Sequence, residues 1–383
     1  MKSFLKFNLL LMLLISFFYS CSSSDDSEPE TMEPTLEERL QAIIDTRIGG
    51  DTQLKGVSVS IRAGNDELYS LVGGVSEDDV PMTSEMRFGI ASITKTAVAA
   101  TILKLEEEGL LSLDDTIADH LDLDSPNVDD SITIYQLLNH LTGLKGYFQH
   151  PDIWPTVEGN LDTAIPYEDL VDFIGEPLFE PGAQYTYSNS NYLILGLIIR
   201  AASGQEVGEV MRSRFWSPLN LNTTYFGSDE TVVGPIASPW RDNDGNGTLE
   251  NIAPDFRAAY HSVFFTAADV FTTASDLSKW SQLLYNGNAL TETSKTKMLD
   301  FLDIDSGDPY WSGYGLGVRR FHFHGRELWG HTGGMRGYGT FMLYDPISDL
   351  TIVLLNNQSR SQNGPLYRFL IVDEMLQILF DEL

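Results

Sequence analysis

Ser92-Ile93-Thr94-Lys95 sets a hydroxyl and an amine three positions apart at the head of an apolar-rich stretch, 92–108. On a helix, residues i and i+3 share a face, so the Lys95 amine can reach the Ser92 hydroxyl. Serine is a poor nucleophile until a neighbouring base takes its proton, and a lysine of depressed pKa can assist that transfer. A position in the first helical turn also favours negative charge as it develops. The same spacing recurs at Ser3/Lys6, inside the N-terminal apolar segment, and at Ser294/Lys297, in a polar run that reads as a solvated face.

Two further groups of residues could complete such chemistry. Tyr187-Ser188-Asn189 follows 95 residues after Ser92, and of the 16 tyrosines only Tyr187 has an asparagine two positions on. A phenol held near cations can ionise and act as a general base, and Asn189 brings a donor and an acceptor to the same spot. The alternative is a Tyr/Asn-rich turn after Pro181-Gly182. Gly330-His331-Thr332-Gly333-Gly334 contains the one His-Thr-Gly of the chain. On a strand edge, glycine lets a ligand approach the backbone, and free N–H groups there bind an oxyanion or pair with a peptide as an added strand. The alternative is a hairpin turn between two strands.

The elements that must position these groups follow from periodicity. Residues 37–48 have helical apolar spacing. Residues 57–61 alternate Val57, Val59 and Ile61 against Ser58 and Ser60, Gly64-Asn65-Asp66 is a turn, and 67–72 is the returning strand. The helix over 92–108 stops at Gly109. From 110 to about 227 the signals are mostly helical with Pro and Gly breaks, as at 134–140, 167–174 and 192–202. Another helix is predicted over 268–286, then strands over 315–323, 327–329, 338–344 and 350–355, and a closing helix over 366–379. Consecutive strands with short links imply an antiparallel sheet. The fold class is therefore α/β of the α+β type. A central antiparallel sheet built from about 37–110 and 255–383 is flanked by helices, the 92–108 and C-terminal ones among them. A large, mostly helical insertion spans about 111–254.

The three motifs in this order resemble the serine hydrolases built like class C β-lactamases and low-molecular-weight penicillin-binding proteins. The flanking stretches 88–92, 110–115, 137–144, 179–182 and 273–277 share the likeness, which spans about residues 37–383. The resemblance implies a β-lactamase/transpeptidase-like fold with no cofactor and no metal. It also implies roles: Ser92 as acylated nucleophile, Lys95 as cationic partner lowering the pKa of Ser92 and Tyr187, Tyr187 as general base, and Asn189 binding Lys95 or the substrate amide. The N–H groups of Ser92 and Gly334 would form the oxyanion hole, with Thr332 and Gly333 contacting substrate. His331 would stand where class C β-lactamases carry lysine. His-Thr-Gly is more like the D-Ala-D-Ala carboxypeptidase, esterase and D-aminopeptidase branches, and a neutral imidazole pulls less on a substrate carboxylate than an ammonium does. The expectation is cleavage of an ester or a D-amino-acid amide or peptide bond, of a small molecule or a cell-wall peptide. The rivals are a true β-lactamase and a surface protein of the same fold that binds cell-wall or glycan fragments without turnover.

Composition excludes several other classes. The 383 residues carry 24 Lys plus Arg against 55 Asp plus Glu, a formal net charge of −31, which argues against nucleic acid as a partner. One cysteine, Cys21, excludes structural disulfides and a thiolate zinc site. Lys2 and Lys6 followed by an apolar run over 8–19 fit a secretory signal peptide, 1–20, too short to span a bilayer. A sole cysteine at its end resembles a bacterial lipoprotein signal. Cys21 would be lipidated, 21–36 a tether, and the chain membrane-bound through that lipid only, at the outer membrane or cell surface or facing the periplasm. Residues 242–250 begin like a calcium loop, but its twelfth position is Ala253, so a Gly/Asn turn is preferred. Tyr147, Phe148, Trp154 and Trp240 could wall a substrate pocket or simply pack loops. His120, His140, His150, His261, His322 and His324 lack metal spacing.

Overall fold

The computed structural model describes residues 33–48, 54–359 and 367–382. The predicted signal peptide, most of the tether and Cys21 lie outside the described residues.

The N-terminal hairpin and the C-terminal strands share one sheet, as their patterns predict. Its nine strands are β1 (Gly56–Ala63), β2 (Asp66–Glu77), β3 (Val80–Pro81), β4 (Leu302–Asp303), β5 (Trp311–Tyr314), β6 (Arg319–Phe323), β7 (Arg326–Met335), β8 (Tyr338–Asp345) and β9 (Leu350–Asn356), in the order β3-β2-β1-β9-β8-β7-β6-β5-β4. The β1–β9 pairing, Val57 opposite Asn356 through Ala63 opposite Leu350, joins the two ends of the chain.

The alternation in β1 suggests one solvated face, yet every residue from Gly56 to Arg62 is buried. The Val/Ile face of the sheet is covered by α1 (Leu36–Ile48), whose Ile44 and Ile48 fill the space beside Gly73, and by α6 (Tyr367–Glu382), which packs on β8 and β9. The serine face lies under α5 (Ala274–Tyr285). There Ser60 meets Ser278 at 2.7 Å and Thr351 donates to Ser281 at 3.3 Å. Small hydroxyl side chains let the helix sit close while pairing their polar atoms, which burial otherwise penalises. Covering this face thus falls to α5 rather than to the helix after Ser92.

That helix is α2 (Thr94–Glu107), preceded by a 3-10 turn, Ala91–Ile93, and closed by Gly109 at φ +72°. It runs through the helical layer against α3 (Asn189–Ser203) and α4 (Ala258–Ala268). Two expectations need correction. Residues 268–286 are not one helix: Val270–Thr272 is a short strand between Phe88–Gly89 and Tyr225–Phe226, and α5 begins only after Thr273, whose hydroxyl accepts from Asp276 N at 3.2 Å. The β-branched and aromatic Val-Phe-Thr run favours strand, and the threonine cap restarts the helix. Nor is 330–334 a turn between strands. It lies inside β7, and the reversal comes at Arg336-Gly337.

Candidate active site

Ser92 sits on the 3-10 turn immediately after Ala91, which is held at φ +52°, a conformation alanine rarely adopts. Packing enforces it. Thr340 of β8 donates to Ile90 O at 2.9 Å, and the turn lies flat against β7. Gly333 is what permits this approach, because a Cβ there would run into Ile90 O and Thr340 Oγ1. The β6 partner of β7 ends at the Arg319–Gly330 pair, whereas β8 accompanies β7 to Met335. The stretch from His331 to Met335 is thus a free edge on its β6 side, set beside the Ser92 turn, with Gly334 exposed.

Lys95, one turn along, is fully buried. Its Nζ lies 3.3 Å from Ser92 Oγ, 2.8 Å from Asn189 Oδ1 and 2.7 Å from Ala267 O. Burial, and then the Arg319 guanidinium, hold its pKa well below the usual lysine range. An ammonium can donate to all three oxygens; once uncharged, the amine still donates to the two carbonyl oxygens, which can only accept, and its lone pair is left for the Ser92 hydroxyl, which can donate. Asn189 caps this arrangement from the start of α3, where Ser188 is the N-cap and accepts from Ser190 N at 3.2 Å.

Tyr187 joins the cluster with its ring partly open and its hydroxyl buried. The Ser92 hydroxyl is close enough to favour the phenolate, although no hydrogen bond of ordinary geometry joins the two. Burial outweighs this and pushes the phenol up to about 12, with the Arg319 guanidinium pulling it back; the Lys95 Nζ lies 5.1 Å from the same ring. Burial thus favours the protonated phenol and weakens the hold of the amine on its proton.

His331 is buried rather than presented to the cleft. A hydrogen-bonded chain fixes its tautomer. The backbone N–H of Ser188 donates to His140 Nδ1 at 3.2 Å, as does Asn191 Nδ2 at 2.9 Å, so His140 Nε2 carries the hydrogen and donates to Tyr314 Oη at 3.1 Å. Tyr314 in turn donates to His331 Nε2 at 3.2 Å, leaving Nδ1–H to donate to Thr332 O at 2.6 Å. Burial drives both imidazoles well below their ordinary range, so both are neutral. His140 holds φ +64°, strained for a side chain of its size, while making these bonds. The chain ties the loop of Tyr187 to the strand of Gly334 through three fully buried side chains.

Two residues of this site have no signal in the sequence that marks them. Arg319 donates to Thr332 Oγ1 at 3.1 Å and lies over the rings of Tyr187 and Trp311, at 5.3 and 4.7 Å. Tyr314 belongs to none of the three motifs. His140 lies inside the quoted 137–144 stretch, but its spacing points to no role. Ser294 and Lys297, the repeated spacing, sit apart and bind Glu107 and Glu106. Residues 242–248 form the tip of a hairpin, where Asp242 accepts from Gly245 N at 2.8 Å and Gly247 N at 3.1 Å. Among the aromatics, Tyr147 is buried and donates to Val263 O at 2.6 Å, and Trp240 is buried beneath the Lys55 ammonium, 3.8 Å from its ring.

The chain is similar to known proteins over nearly its whole length. The family model described as Beta-lactamase matches residues 35–374. Penicillin-binding protein 4* of Bacillus subtilis strain 168 is 26% identical, over 92% of this chain and 78% of that protein. Among solved structures, the D-amino acid amidase from Ochrobactrum anthropi SV3 complexed with D-phenylalanine superposes with a TM-score of 0.80 at 23% identity, covering 91% of this chain and 99% of the other. The D-stereospecific amidohydrolase from a Streptomyces species gives 0.75 at 24%, covering 88% and 97%.

Proposed function

Since the chain belongs to the beta-lactamase family of serine hydrolases, we propose that it cleaves an ester or a D-amino-acid amide or peptide bond through an acyl-enzyme on Ser92. The observation that carries this is the set of three contacts at Lys95 Nζ, which holds the amine within reach of the Ser92 hydroxyl.

In this reading Lys95 takes the Ser92 proton as Oγ attacks the substrate carbonyl. The backbone N–H groups of Ser92 and Gly334 receive the oxyanion, an interaction typically worth about 10²–10³ in rate per donor. The tetrahedral adduct collapses with cleavage of the C–O or C–N bond. The Tyr187 phenol gives its proton to the leaving group and is restored from the Lys95 ammonium. Water then attacks the acyl carbon, its proton passing by the same groups to Ser92 Oγ. Asn189 holds Lys95 in register throughout. Arg319, fixed on Thr332, supplies a cation that a carboxylate on the leaving portion would meet, whereas His331 is neutral and both its nitrogens are engaged. The names of the similar D-amino acid amidase and D-stereospecific amidohydrolase favour amidase or peptidase action.

A panel of p-nitrophenyl esters, D-alanyl-D-alanine peptides, D-amino-acid amides and a chromogenic cephalosporin, assayed on wild type and Ser92→Ala, tests the proposal. Turnover of at least one of the first three, lost in Ser92→Ala, is expected. Turnover of the cephalosporin alone would make the protein a β-lactamase instead. The N-terminal segment would carry the protein out of the cytoplasm and tether it by lipid at Cys21, which mass spectrometry of membrane-extracted protein would detect.

A further inference from the structure

The free edge of β7 runs one residue past Gly334. Met335 ends β7, and Arg336 with Gly337 makes the hairpin tip, which packs against Pro239 and so lies beside the strand Trp240–Arg241. On the opposite wall Tyr147 N donates to Ser190 Oγ at 3.0 Å, next to Asn189. From there aromatic rings lead across: Phe148 to Trp154 at 5.7 Å and Trp154 to Tyr260 at 6.2 Å. The Arg336 guanidinium closes the span, 5.4 Å from the Tyr260 ring and 5.9 Å from Trp154. A substrate laid along the free edge of β7 with its leaving portion at Thr332 and Arg319 sends its acyl arm toward this wall.

The polar groups here are donors short of an acceptor. Tyr260 Oη and Arg336 Nε are buried without hydrogen-bond partners among the described residues. Arg336 has one ion pair, to Glu158 at 2.8 Å. The Arg241 side chain makes no hydrogen bond or ion pair of its own among the described residues. Its surroundings are mixed: Glu158 and Asp242 favour its charge, yet burial and the repulsion of Arg336 prevail and lower its pKa. Two guanidiniums, one of them without an ion pair among the described residues, stand here beside Glu158 and Asp242. Guanidinium and phenol N–H and O–H groups, with aromatic faces beneath, match the planar acceptor geometry of a carboxylate.

We propose that Arg241, Arg336 and Tyr260 form an acyl-arm subsite that selects donors bearing a carboxylate remote from the scissile bond. This rests on the reading of Ser92 as the acylated residue and of β7 as the substrate edge.

Mono-p-nitrophenyl esters of succinic, glutaric and adipic acid, each compared with its terminal carboxamide, test the subsite. In wild type at low salt the best carboxylate donor should exceed its carboxamide in kcat/KM by about tenfold or more. Arg241→Gln should reduce that ratio at least fivefold, and Arg241→Lys should retain part of it. A ratio near or below one in wild type at every chain length, or one unaltered in Arg241→Gln, overturns the proposal. Binding separates it from the hydrolase reading. Calorimetric titration of Ser92→Ala with glutaryl-D-alaninamide and its carboxamide analogue should show tighter binding of the acid, and equal affinities contradict the subsite. Absence of any Ser92 adduct with any donor contradicts the hydrolase reading alone.

Discussion

Lys95 Nζ lies 3.3 Å from Ser92 Oγ, and its other two contacts are carbonyl oxygens. The lone pair of a neutral amine therefore has one place to point. Because burial lowers the lysine pKa and raises that of Tyr187 to about 12, the pH dependence of kcat/KM discriminates between the two as base. With Lys95 as base, activity rises with pH through the depressed lysine pKa and is level well below pH 12. Activity that keeps climbing toward pH 12 would identify the Tyr187 phenolate instead.

The same burial has a signature in stability. Lys95 binds its proton more weakly folded than unfolded, where its pKa is near 10.5. Between the folded and unfolded values the unfolded chain holds the extra proton, so stability rises with pH by up to about 1.4 kcal/mol per unit and levels off above 10.5. Lys95→Met removes this dependence. Denaturant melts at stepped pH should show wild type gaining on Lys95→Met as pH rises toward 10.5. A constant difference would contradict the burial of an uncharged amine.

Tyr314 is the middle of the His140–Tyr314–His331 chain. Tyr314→Phe leaves His140 Nε2–H and His331 Nε2 unpaired in the interior, a loss of about 1–3 kcal/mol in stability. Because the chain positions both Tyr187 and β7, kcat should fall more than KM rises. Thermal melts with steady-state kinetics check both. Unaltered kcat in a destabilised variant would reduce the chain to a packing element.

Gly333→Ala places a methyl group against Ile90 O and Thr340 Oγ1. The Ser92 turn and β7 must then separate. Covalent labelling of Ser92 by a fluorophosphonate should slow at least tenfold, about 1.4 kcal/mol in the barrier. Wild-type labelling would mean that the free edge of β7 is not part of the reacting geometry.

Much of this was legible in the sequence because the motifs are local. Ser92 and Lys95 share one helical turn, Tyr187 and Asn189 flank one N-cap, and His331 to Gly334 occupy one strand. The hairpin and terminal strands are likewise carried by period-two patterns. The burial of the Ser58/Ser60 face was not, because a serine that pairs with Ser278 across a helix interface looks like one that meets water. The strand over Val270–Thr272 is too short to outweigh the helical patterns beside it. Arg319, Tyr314 and His140 become functional neighbours only through pairing of β5, β6 and β7 with a loop far off in the chain. The direction of the Lys95 and Tyr187 shifts depends on burial depth, which spacing does not encode.

Mass spectrometry of the intact protein after incubation with a fluorophosphonate or a penicillin tests the central claim most directly. The account predicts a single adduct, mapped by peptide digestion to Ser92, on wild type and none on Ser92→Ala. No adduct on wild type with either reagent, or one that persists in Ser92→Ala, would contradict it.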